Sequence, residues 1–246
     1  MTQLRNAPAY RAAGGASRVA RRPELALALT VALALGALSP ALPGPAAAGE
    51  AADLIFADRG PWALEGQELN WRLDRQGPDS PAFRQVHDGR VTLAETTDPS
   101  DGQKLLEIRQ ADSDAPRVLG RFPVSSGDPV VVFFLENTTR DMALLTGGSP
   151  FYIRNRMKEA LANAGSPVSG DQGVAVELRP FDGDPNGDRM KGFQTLRLRF
   201  VFGDDPTDPI RELVAETDGP VAAVPPEGMP PQPIAPAPYR HAMVLE

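Results

Sequence analysis

Asp182, Asp184, Asn186 and Asp188 are the side chains best spaced for chemistry in this chain. Three carboxylates and an amide at alternate positions can wrap oxygen around a hard cation such as calcium. A calcium loop of that kind is closed by a bidentate Glu at its twelfth position, and Phe193 stands there instead. The alternative is a polar loop joining strands over 174–181 and 193–202, with Gly and Asn supplying the turn conformations. A second cluster is basic: Arg154, Arg156 and Lys158, with Arg140 nearby. On an otherwise acidic protein it could dock an acidic partner surface or an anionic head group, or it could be a solvated helix face.

Other chemistries lack material. There is no cysteine, which removes thiolate metal sites, disulfides, thiol redox and acylated-cysteine anchoring. His87 and His241 are the two histidines, and no G-x-S-x-G elbow places a serine for nucleophilic attack. Acidic pairs such as Asp204 with Asp205, or Asp112 with Asp114, fall in Gly/Pro/Ser-rich stretches where carboxylates are usually solvated. The expectation is a non-enzymatic protein without a cofactor. The formal net charge of −7 makes nucleic acid a poor partner.

The amino-terminal stretch reads as an address. Arg18, Arg21 and Arg22 precede an Ala/Leu run over 25–38, and Ala46-Ala47-Ala48 follows as a small-residue cleavage site. A basic start, a short apolar core and an A-x-A end make a secretory signal peptide over residues 1–48, since a permanent span needs about 20 apolar residues. Residues 49–246 are then expected as one domain of a periplasmic or secreted protein that is not integral to the membrane. Losing the leader's five arginines and one glutamate takes the net charge to −11.

The elements that must position these side chains are mostly strands. Leu196, Leu198, Phe200 and Phe202 alternate with Arg197 and Arg199, and Leu69, Trp71 and Leu73 alternate with Asn70, Arg72 and Asp74. This period of two predicts half-buried antiparallel strands. Similar alternation marks 174–178 and 106–109, and shorter apolar runs predict strands over 54–56, 90–94 and 118–122. Asp88-Gly89 suits a tight hairpin turn between 83–87 and 90–94. The period turns helical at Asp128-Pro129, which predicts a helix over 129–146 closed by Gly147-Gly148. Its stripe is Val131, Phe134, Leu135, Thr138, Met142 and Leu145, and the all-apolar run 130–135 should be deeply buried. Ser149-Pro150 starts a second helix ending near Gly165, completing an αα-hairpin. Residues 219–238 hold eight prolines and should form an extended loop, after which 239–245 returns to the sheet as a strand.

Strands, two helices, then strands predict an α+β fold: a curved antiparallel sheet, half-barrel-like, covered by the αα-hairpin. In outline this resembles the periplasmic lipoprotein-carrier and localisation-factor fold, by order of elements and through no shared motif. A sheet that curls incompletely around the helix leaves a greasy pocket, with Trp71, Phe134, Phe200 and Phe202 as its expected lining. The function expected is an envelope protein binding an apolar or lipid (acyl) ligand in that cleft. The alternative is an interaction or assembly factor with a packed core, holding an envelope protein partner through Arg154, Arg156 and Lys158.

Overall fold

The computed structural model describes residues 49–57, 59, 62–112, 116–125, 127–170, 173–205, 207–225, 228 and 233–246. The expected leader lies outside them. Among the described residues nine strands are formed: β1 (Glu68–Gln76), β2 (Val86–Thr97), β3 (Lys104–Ala111), β4 (Arg117–Pro123), β5 (Val168–Gly170), β6 (Gly173–Leu178), β7 (Arg197–Phe202), β8 (Glu212–Val221) and β9 (Ala237–Leu245). They make one open sheet in the order β4-β3-β2-β1-β9-β8-β7-β6-β5. Each neighbouring pair is antiparallel and, except for β1 with β9, consecutive in sequence. With three helices, α1 (Glu50–Ile55), α2 (Pro129–Thr146) and α3 (Pro150–Ala162), the fold is α+β. Among the described residues no helix is long and apolar enough to cross a membrane.

The last strand joins two meanders. β9 pairs with β1 from Trp71↔Leu245 to Gln76↔Arg240, and on its other edge with β8 from Glu212↔Val244 to Val221↔Ala237. Its inward residues Tyr239, His241 and Met243 are buried beside Leu73 of β1 and Leu213 and Ala215 of β8. On the opposite face cross-strand ion pairs meet water, including Arg199 with Glu212 at 2.8 Å and Arg121 with Glu107 at 2.9 Å. Such exposed pairs contribute a few tenths of a kcal/mol each, so their main effect is to keep that face polar.

The two longer helices begin and end where their caps dictate. Asp128 accepts from the Val130 and Val131 amides, Pro129 occupies the first turn, and Gly147 takes the left-handed φ of 69° that closes α2. Ser149 caps α3 by accepting from the Tyr152 amide. Val131, Phe134, Thr138, Met142 and Leu145 are the buried stripe of α2. Phe134 meets Phe200 edge-on at 5.9 Å and stacks on His241 at 4.7 Å, which seats α2 over β7 and β9. From α3, Ile153, Met157 and Leu161 face the core, with Met157 Sδ accepting from the Thr139 hydroxyl.

Arg59 binds three parts of the fold at one point. Its side chain is fully buried and donates to the carbonyls of Leu54 at the end of α1 and Asp208 before β8, at 2.9 and 3.1 Å. It lies 3.8 Å from the Asp128 cap of α2 and over the Phe202 ring. A buried cation is tolerable only with such partners.

Several boundaries differ from expectation. Residues 54–56 do not form a strand, because 50–55 is helical and docks so closely that a Cβ on Gly49 would lie 2.1 Å from the Ala164 carbonyl oxygen. Asp88-Gly89 is not a hairpin turn. It lies inside β2, where Asp88 at φ 54° forms a bulge as the β1 register passes from Leu73↔Gly89 to Arg75↔Val86. α3 stops at Ala162 rather than near Gly165. Residues 193–195 make a 3-10 turn before β7, while Gly219 and Pro220 belong to β8, so the Pro-rich connection is shorter than 219–238. The run 130–135 is not buried all round, since Val132 is 53% exposed.

The Asp128 carboxylate has two duties, capping α2 and facing Arg59. Asp128→Ala is expected to cost about 3 kcal/mol in urea unfolding, with Asp128→Asn, which keeps a capping oxygen, costing less. A loss below about 1 kcal/mol would mean that Arg59 does not depend on this partner.

Candidate functional site

Beside its buried stripe α2 carries a second one. Phe133, Asn137, Arg140 and Leu144, at spacings of four, three and four, share a helix face with Val132 and Glu136. They form one wall of a cleft of about 510 Å³. The facing wall is the β3–β4 end of the sheet, with Ile108 and Gln110 from β3 and Arg117, Leu119 and Phe122 from β4. Helix and sheet thus meet over β7, β9 and β1 and part toward β4.

A bulge in β4 composes the second wall. The register runs Leu106↔Phe122 and Ile108↔Gly120, then Arg109↔Val118 and Gln110↔Arg117, so Leu119 is an extra residue on β4. Strict alternation from Phe122 would have brought Val118 inward and sent Arg117 out. The extra residue reverses that phase, pairing Arg117 with inward Gln110 and leaving Val118 on the outer side, 51% exposed. Leu119 and Arg117 both line the cleft in consequence.

The floor is a buried polar cluster where β1, β9 and α2 meet. Asp141 is 2% exposed, accepts from the Tyr239 hydroxyl at 3.1 Å and lies 3.4 Å from a guanidinium nitrogen of Arg75. Arg75 also donates from Nε to the Arg84 carbonyl at 2.9 Å and lies over the Phe83 ring. Burial pushes the Asp141 carboxyl up to about 6, against the opposing pull of Arg75 and the Tyr239 hydrogen bond. Burial and the Asp141 charge hold the Tyr239 hydroxyl protonated, its pKa raised well above the ordinary phenol value. Two residues further along β9, His241 pairs with Arg75 across the strands and lies 3.1 Å from the Thr138 hydroxyl. That hydroxyl donates to the Phe134 carbonyl. Burial, with Arg75 adding to it, takes the imidazole down to about 3, so the ring is neutral at physiological pH.

The side chains singled out by sequence lie elsewhere. Trp71, Phe134, Phe200 and Phe202 are at most 1% exposed and belong to the packed core, and none of them lines the cleft. Trp71 Nε1 donates to the Ile210 carbonyl at 2.8 Å. The two charged candidates meet each other. Asp184 accepts from Arg156 Nε at 2.7 Å, from the Tyr152 hydroxyl at 2.8 Å and from the Asn186 amide at 2.8 Å, which leaves its carboxylate fully engaged. Although burial opposes it, these donors hold the Asp184 pKa below the usual carboxylate value. Asn186 donates to Tyr152, whereas Asp182 and Asp188 point to solvent. No group of three or more His, Asp or Glu side chains placed to hold a metal occurs among the described residues. Arg154 forks onto Glu136 at 2.6 and 2.8 Å, Arg156 also bonds Glu159, and Lys158 is exposed.

The cleft residues were only partly foreshadowed. The all-apolar run 130–135 contains Val132 and Phe133, more apolar surface than one buried stripe can use. Arg117 and Gln110 had no such signal, because the bulge that pairs them is not visible in the alternation of 118–122. Comparison with protein-family models, with curated proteins and with solved structures returned no match.

Asp141 and His241 contribute opposite slopes to stability against pH. A carboxyl at about 6 when folded and 3.8 when unfolded binds its proton more tightly in the native state, so its contribution falls as pH rises through that interval. An imidazole at about 3 when folded and 6.5 when unfolded contributes fully above 6.5 and loses that contribution as pH falls toward 3. Asp141→Asn removes the first slope alone. Between pH 4.5 and 7 the unfolding free energy of the variant should gain about 2 kcal/mol on the parent. A difference independent of pH would mean that this carboxylate is not desolvated.

Proposed function

We propose that residues 49–246 form an exported, non-enzymatic envelope protein that binds an acyl chain in the cleft between α2 and β3–β4. In this reading the sheet curls around α2 as an open half-barrel, and the αα-hairpin covers only part of it. The observation that carries the proposal is the apolar side chains left uncovered there. Val132 and Leu144 of the helix are 53% and 42% exposed, and Leu119 of the bulge is 39% exposed, yet all three line one concavity. Apolar side chains scattered singly over a surface need no explanation, whereas a set facing one another across a cleft marks a binding site. The volume of about 510 Å³ lies within the range of small-ligand sites, roughly 300–1,000 Å³. The leader expected at residues 1–48 supports an envelope location.

The chain-binding part of this reading is tested with N-phenyl-1-naphthylamine, a neutral apolar fluorophore. Its emission should rise and shift to the blue on addition of the protein, and Val132→Glu should weaken that binding about tenfold or more while leaving the melting temperature within a few degrees of the parent. No enhancement, or an enhancement that Val132→Glu leaves untouched, would remove the cleft as an acyl site and favour the interaction protein with a packed core.

A further inference from the structure

We infer that the occupant of the cleft is a single-chain amphiphile with an anionic oxygen head group, its head held by Gln110, Arg117 and Arg140. This rests on the proposed acyl site and specifies what that site takes.

Gln110 points to the head group. It is 5% exposed, faces inward on β3 with Leu106 and Ile108, and lines the cleft. Its side-chain amide makes no hydrogen bond to another described residue. The amide opens onto the cleft rather than into the packed core, so an occupant offering acceptor oxygens would meet its NH2 group.

Charge points the same way. The acids around the cleft each have an arginine of their own: Asp141 has Arg75, Glu136 is forked by Arg154, and Asp112 lies 3.1 Å from Arg84. Arg117 and Arg140 have no acidic partner within 4 Å among the described residues, and both line the cleft. The bulge at Leu119 turns Arg117 inward, directly across the ladder from Gln110. Arg140 approaches from the helix wall, one turn from Leu144. Arg140 also acts at longer range on Glu136 and Asp141, but neither it nor Arg117 is held in a close ion pair, and two such guanidinium groups beside the Gln110 amide complement a carboxylate or a phosphate. The acyl chain then lies against Val132, Leu144 and Leu119, apolar side chains interspersed with the two arginines along the cleft walls.

Carboxylate and phosphate heads share this chemistry, and titration calorimetry separates them. Dodecanoate, dodecyl phosphate, dodecyl maltoside and dodecyltrimethylammonium carry the same chain and are compared below their micellar concentrations. The anionic pair should bind about tenfold or more tightly than the neutral and cationic ones, and the tighter of the two anions identifies the head group. The double variant Arg117→Gln/Arg140→Gln should abolish that preference, and Gln110→Leu should weaken anion binding about tenfold, each changing anion binding far more than N-phenyl-1-naphthylamine binding. Both arginines are exposed, so the double variant should melt with the parent. Equal affinity for all four heads, or a preference surviving in the double variant, overturns the anionic occupant while naphthylamine binding keeps the acyl site standing. Loss of naphthylamine binding by the parent overturns the acyl site itself.

Discussion

Asp141, held by the Tyr239 hydroxyl and the Arg75 guanidinium, joins α2 to the two strands where the halves of the sheet meet. Apolar contacts alone would let a helix slide over a sheet at small cost, because dispersion and burial are non-directional. A buried carboxylate tolerates no such shift. Displaced from its donors it would be an unpaired charge in the interior, which is far more expensive than a rearranged methyl contact. Phe134 on Phe200 and His241, with Thr138 beside the imidazole, holds the helix one to two turns nearer its start.

Pinning α2 over β9 determines what it cannot cover. A helix about 10 Å across spans roughly two strand spacings, and this sheet has nine strands. β7 to β1 receive the buried stripe, while the β3–β4 end faces the neighbouring stripe across an open cleft. The same cluster that fixes the helix provides the polar floor of that cleft, so position and chemistry share residues. The bulge in β4 completes the arrangement by exchanging Val118 for Arg117 on the inner face. The basic helix α3 and the acidic loop at Asp184 are structural partners in this scheme, since Arg156 and Tyr152 use up the carboxylate that a cation would need.

Much of the architecture was legible in local chemistry. Asp128-Pro129 and Gly147 mark the ends of α2 because capping depends on the cap residue and its nearest amides. The return of 239–245 to the sheet was readable from its alternation, although its place between β1 and β8 depends on pairings made far along the chain. Asp88-Gly89 misled because the positive φ that suits a hairpin turn suits a bulge equally well, and only the opposing strand decides between them. Trp71, Phe134, Phe200 and Phe202 suit a lining by their size and apolarity. Those properties also select the centre of a core, whereas a cleft is lined by side chains that packing leaves half covered, such as Val132 and Leu144. Alternation alone could not reveal Arg117 as inward-facing, because one extra residue inverts the faces of a strand.

The proposed acyl chain occupies the space that α2, pinned over β9, leaves uncovered. Isotope-filtered NMR on methyl-labelled protein with dodecanoate reports that contact directly. Nuclear Overhauser effects from the acyl protons should reach the methyl groups of Val132, Leu144 and Leu119, and not those of Val91 or Leu93 in the packed core. Contacts confined to other surfaces, or none to these three residues at saturating dodecanoate, would rule out this occupancy.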